Sequence, residues 1–181
     1  MRRTLIAPAP LDLAALNALK SWLSITTAHE DSTLTRLLHS ALESFEAITG
    51  SLALAGECEE ILNADTCWQS LSTRPVHAII GVEAIPAEGS RLALPVDAYE
   101  YDLGADGSGH VRLRRQGHAG RIAVRYSAGL APDWAALADS IRHGLIRLAA
   151  HHYRERDSKT GSAPPASVTA LWSPWRRLRL A

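Results

Sequence analysis

The chain has 181 residues, 46% of them hydrophobic and 21% charged, with 19 Lys+Arg against 19 Asp+Glu. That size and composition suit one domain, or one domain with arms, and exclude a wholly disordered chain. The net zero hides a split: residues 1–110 hold 15 acids and 6 bases, whereas residues 111–181 hold 4 acids and 13 bases. Such asymmetry points to a partner surface or to self-association, unless it only reflects arginine-rich coding bias.

No apolar run approaches the roughly 18–20 residues needed to span a bilayer. The opening Met1-Arg2-Arg3-Thr4-Leu5-Ile6-Ala7-Pro8 lacks the longer apolar region of a signal peptide. It reads as an exposed end, and the protein is expected to be made and kept in a cytoplasm. Cys58 and Cys67 agree with a reducing compartment, and their spacing fits no common zinc pattern.

The first expected helix lies near Leu11–Leu23, with Asp12 in its first turn and Leu13, Leu16, Leu19, Lys20 and Leu23 along one stripe. The second carries Leu34, Leu37, Leu38, Ala41, Leu42, Phe45 and Ile48 at helical spacing. Asp31 or Ser32 suits its start and Gly50 its stop. The two read as an antiparallel helical hairpin.

From about 52 to 127 the helical period fades. Short apolar or alternating runs are separated by Gly- and Pro-rich turns, which predicts an antiparallel β insertion or small barrel. In its last two runs Arg112, Arg114, Arg121 and Arg125 alternate with apolar residues, so they are expected on the non-core side as a basic sheet face. A third helix is predicted from about Asp133 to Tyr153 or Arg156, with Leu137, Ile141, Leu145, Leu148 and His152 on one face. A linker then leads to a terminal segment over 168–181. The expected fold class is α+β: a small bundle of three to four helices over 1–157, a β-rich insertion at about 52–127, and a tethered C-terminal arm over 158–181.

No phosphate-binding loop, nucleophile elbow, dinucleotide fingerprint or His-Glu-x-x-His spacing occurs. His151 and His152 are adjacent, so on a helix they point about 100° apart and cannot chelate together. Nothing points to a catalytic site, a metal or a cofactor, and no enzyme activity is expected. The terminal segment carries the strongest signal. Leu171, Trp172, Pro174, Trp175, Arg176, Arg177, Leu178 and Arg179 combine the residue types that dominate interface hot spots. A chain end with two large aromatics is expected to bury them against something. That surface is a partner, the protein's own domain, or nucleic acid with Trp stacking and Arg on phosphates.

In order along the chain, Leu23-Ser24-Ile25, the polar link after it, the Leu-rich helix ending Glu46-Ala47-Ile48-Thr49-Gly50, Tyr126-Ser127-Ala128-Gly129, the helix end His151-His152-Tyr153-Arg154-Glu155-Arg156 and Leu171-Trp172-Ser173-Pro174-Trp175-Arg176-Arg177 form a pattern. It resembles the head–tail connector (adaptor) proteins of long-tailed phages and of the related gene transfer agents. The likeness covers most of the chain and is weakest over 52–110; Trp172 departs from the more usual Leu or Ser. It implies a structural protein, not an enzyme. Such a protein forms a homo-oligomeric ring, usually a dodecamer, beneath the capsid portal. It joins the portal to a tail-neck (stopper or terminator) protein and extends the channel through which DNA passes transiently. It implies no membrane partner and a final place in the particle neck. On this likeness the terminal residues named above are the expected portal-docking set, while the four strand arginines are a candidate basic interface from their alternation alone. The rival is a DNA-binding protein that uses the basic C-terminal half.

Overall fold

The computed structural model describes residues 2–7, 11–155 and 163–176. In chain order the elements are strand β1 (Arg2–Ala7), helices α1 (Leu13–Leu23) and α2 (Asp31–Thr49), strands β2 (Gly56–Asn63), β3 (Gln69–Ser70), β4 (Val76–Ile85), β5 (Leu92–Ala93), β6 (Tyr99–Leu103), β7 (Gly109–Leu113) and β8 (Arg121–Ala128), then helices α3 (Asp139–Arg154) and α4 (Ala166–Trp172). Single 3-10 turns lie at Val96–Ala98 and Ser173–Trp175. The fold is α+β, and the chain divides into two compact units: Met1–Pro8 with Ala55–Leu130, and Ala9–Leu54 with Ala131–Ala181.

The first unit holds two antiparallel sheets, ordered β1-β2-β8-β4-β5 and β3-β7-β6. Period-two burial builds it. Cys58, Glu60 and Leu62 of β2, Val111 and Leu113 of β7, and Ile122, Val124 and Tyr126 of β8 point inward. The inward Glu60 is fully buried and requires partners. Its Oε2 accepts from the Ser72 amide at 2.9 Å, the Ser72 hydroxyl at 2.9 Å and the Tyr126 hydroxyl at 3.2 Å. Burial pushes the Tyr126 hydroxyl well above its ordinary pKa.

The opening segment is not a loose end. Arg2–Ala7 forms β1, antiparallel to β2 from Arg2↔Ile61 to Ala7↔Glu57, and Arg3 Nη1 donates to Thr73 Oγ1 at 2.9 Å. Three apolar residues gave no strand signal by themselves. Pairing with β2, some 55 residues on, satisfies the backbone, which local sequence cannot show.

The second unit is helical. Asp12 caps α1 by accepting from Ala14 N, and Gly50 stops α2 with a left-handed backbone (φ 73°). Lys20 Nζ reaches Asp31 Oδ1 at 2.7 Å, tying α1 to the start of α2. Tyr153 of α3 donates to Glu30, just before α2. Leu16 and Leu19, Leu34, Leu38, Ala41 and Phe45, and Ile141, Leu145 and Leu148 form the core. α3 begins at Asp139 rather than near Asp133. Asp133 Oδ1 instead accepts from Ala136 N at 2.8 Å in a turn, while Trp134 and Leu137 are buried.

Candidate assembly surfaces

The terminal arm splits into an anchored part and an exposed part. Val168 and Trp172, four residues apart, share one face of α4, and both are 0% exposed. The Trp172 ring meets Phe45 of α2 edge to face at 5.2 Å between centroids. Gly144 of α3 makes the room: a Cβ there would lie 2.2 Å from Trp172 Nε1. Arg147 Nη2 donates to Ser167 Oγ at 3.0 Å, and Trp175 Nε1 to Ser140 Oγ at 3.3 Å. A seven-residue helix has little stability of its own, so this packing holds it in place.

These contacts correct the expected docking set. Trp172 is a core residue of the helical unit and presents nothing to a partner. Leu171 and Trp175 are half-buried, whereas Pro174 and Arg176 are exposed. Arg177, Leu178 and Arg179 lie outside the described residues. The signal for the correction was present in the sequence, because the i,i+4 spacing of Val168 and Trp172 is that of a buried helix stripe.

The four strand arginines do not form one basic face. Arg112 and Arg114 belong to or follow β7 in the three-stranded sheet, while Arg121 and Arg125 lie on β8 in the five-stranded sheet. Most are already paired. Arg112 Nη2 sits 2.5 Å and Arg114 Nη2 3.4 Å from Glu100 of the neighbouring β6. Arg112 also stacks over the Trp68 ring at 4.5 Å. Arg125 Nη2 lies 2.5 Å from Glu57 Oε1 on β2. Arg121 is exposed.

The same pairing dissolves the charge split. Counted by compact unit, the β-rich unit carries ten acids against nine bases, and the helical unit nine acids against ten bases. The helical unit joins a piece of the acidic part to a piece of the basic part, and the Ala55–Leu130 segment of the β-rich unit spans both. Opposite charges in the β-rich unit therefore meet within one subunit across the strands.

Several histidines have internal work. His77 Nε2 lies 2.6 Å from the Gly129 carbonyl oxygen, His110 Nδ1 3.1 Å from Ser70 Oγ, and His151 Nε2 3.2 Å from Glu155 Oε2. His143 meets the Trp22 ring at 5.5 Å. Among the described residues, no helix is long and apolar enough to cross a membrane. Among the described residues, Val96 at 74% and Leu13 at 73% are the most exposed of the large apolar side chains. Leu13 fits the α1 stripe numerically, but the buried face runs through Ala15, Leu16 and Leu19.

No protein-family model and no curated protein matches the chain. Solved structures do. A chain from the neck of an empty gene transfer agent (GTA) particle, computed with C6 symmetry, matches with a TM-score of 0.81 and 21% identity, covering 100% of this chain and 98% of that one. A chain from the neck of a native GTA particle, computed with C12 symmetry, matches at 0.77 and 22% identity over the same shares. A chain from the virion of a native GTA particle matches at 0.76 and 20% identity, again with 100% and 98% covered. At such identities the likeness is one of fold, and it takes in both compact units from end to end.

Proposed function

We propose that the protein is a structural component of the neck of a phage-like particle. In finer detail, it is a head–tail connector (adaptor) subunit that forms a ring, a dodecamer by the family resemblance, under the portal. It joins the portal to the next tail-neck (stopper or terminator) protein and extends the DNA channel. The fold likeness to neck chains, complete in both directions along the chain, carries this reading. The role asks for surfaces rather than a reaction centre, and it places the protein in the particle neck after assembly in the cytoplasm.

On this reading the portal-reaching part of the arm lies beyond the Trp172 anchor: Pro174, Trp175 and Arg176, with Arg177, Leu178 and Arg179. The anchored α4 fixes where that end departs from the helical unit. The rival DNA-binding reading is weakened because Arg112, Arg114 and Arg125 already face carboxylates; a phosphate would have to displace them. Loss of the gene in a particle-producing cell should leave heads without attached tails, and the intact gene should restore tailed particles containing the chain at the neck. Normally tailed particles in its absence would overturn the proposal. A chain ending at Arg176 should fold and self-assemble normally yet fail to join portal-bearing heads.

A further inference from the structure

The β-rich unit carries an apolar cleft of about 290 Å³. Pro86, Leu92, Leu94 and Ala98 contribute to its walls, and the titratable side chains that line it are Arg115 and His118. Both of these are exposed, and Leu92 is 60% exposed, so water covers an apolar wall. Arg112 and Arg114 nearby in sequence share Glu100, whereas Arg115 has no ion-pair partner among the described residues. An apolar floor with a cationic rim disfavours a phosphate backbone, which would leave the floor wet. It suits an apolar side chain next to a carboxylate.

The helical unit presents such a pair. Leu13, in the first turn of α1, is 73% exposed, and Asp12 beside it is exposed too. Asp12 spends Oδ1 on the Ala14 amide and makes no ion pair among the described residues. Other large exposed side chains fit less well. Val96 stands two residues from Ala98 in the cleft's own wall, and Trp22 is engaged with His143.

We propose that Asp12 and Leu13 of one copy dock into the cleft of a second copy, Leu13 against Leu92 and Leu94 and Asp12 toward Arg115. The inference rests on the ring reading above and names the contact that closes the ring. A knob and a hole on different units let each copy pass the contact on to the next, and such a head-to-tail contact generates a ring when the rotation closes; a reciprocal two-fold exchange of the same knob and hole would stop at a dimer of the parent chain and overturn the ring contact.

The test uses Leu13→Glu and Leu92→Glu in the full chain, read by native mass spectrometry and sedimentation. Both positions are exposed, so circular dichroism and melting should match the parent chain; Leu13→Ser stands in if the glutamate disturbs α1. Each variant alone should need at least about tenfold higher concentration to assemble, as expected for losing one well-buried leucine. An equimolar mixture should form dimers and stop there, because one partner keeps only the cleft and the other only the knob. If the parent chain forms rings and Leu13→Glu forms them equally well, the contact is wrong while the ring reading stands. The contact is equally overturned if the parent forms rings and the mixture stays monomeric. If the parent chain stays monomeric at every concentration, the ring reading falls and the contact with it.

Discussion

The β-rich unit and the helical unit solve the same problem by different means. Each has nearly balanced charge, ten acids to nine bases and nine to ten. In the β-rich unit that balance is realised as ion pairs at the surface, with Glu57, Glu59 and Glu100 facing Arg125, Arg91 and Arg112. In the helical unit the decisive contact is apolar and deep: Trp172 enters between Phe45 and Gly144. Partly exposed ion pairs contribute about 0–1 kcal/mol each, whereas truncating a buried tryptophan costs about 3–5 kcal/mol. Arginines and tryptophans near the end of the chain therefore do not mean a docking surface by themselves. Their spacing and strand partners decide whether they are available.

The largest expected effect comes from the deep contact. Trp172→Ala should lower the unfolding free energy of the helical unit by about 3–5 kcal/mol, read from denaturant midpoints at constant slope. A loss under about 1 kcal/mol would mean that α4 is a loose arm after all. Next comes Gly144→Ala. A helical alanine normally gains up to about 1 kcal/mol over glycine, but here its Cβ would lie 2.2 Å from the indole nitrogen. The clash should win, for a net loss of about 1–3 kcal/mol. With Trp172 already truncated, the same Gly144→Ala change should become neutral or stabilising. That reversal in a double-mutant cycle isolates the contact.

Much of the helical unit was legible in the sequence, and the reason is local. Leu34, Leu38, Ala41 and Phe45 recur at the helical period, and they are the residues that α2 buries. The β-rich unit was legible only as a class. Its turns show as glycine and proline clusters, but β1 pairs with a strand some 55 residues away and has no signal of its own. The assignment of four arginines to one face failed for the same reason, since alternation gives the side of a strand but not the sheet it joins. The resemblance, built on ordered and degenerate motifs, agrees in fold with the solved neck chains. It could not distinguish anchor from docking residue within the arm, because that depends on the cavity that Gly144 leaves on α3.

A smaller effect probes the buried polar cluster of the β-rich unit. Burial raises the Tyr126 pKa above its ordinary value of 10.0. The unfolded chain therefore releases the phenolic proton first as pH rises. Stability is fully present below pH 10 and falls above it, toward the raised folded-state value. Tyr126→Phe should flatten this alkaline decline in thermal melts, while lowering stability near neutrality because Glu60 Oε2 loses one donor. An equally steep decline in the variant would assign it to other groups.

The smallest expected effect bears most directly on the charge split. If acid and base from opposite parts of the sequence are partners within one subunit, reversing one should hurt the monomer itself. Glu57→Arg places a like charge on the side chain whose carboxylate now lies 2.5 Å from Arg125 Nη2. It should cost the β-rich unit about 1 kcal/mol or less, since the pair is partly exposed. Adding Arg125→Glu should restore most of that loss, and both effects should shrink in high salt, where surface charges are screened within about 10 Å or less. If instead the single reversal leaves monomer stability unchanged and impairs only assembly, the glutamate faces a neighbouring copy rather than its own β8. The balance within each unit would then be coincidence, and the asymmetry between the two parts of the sequence would again be a property of the assembly.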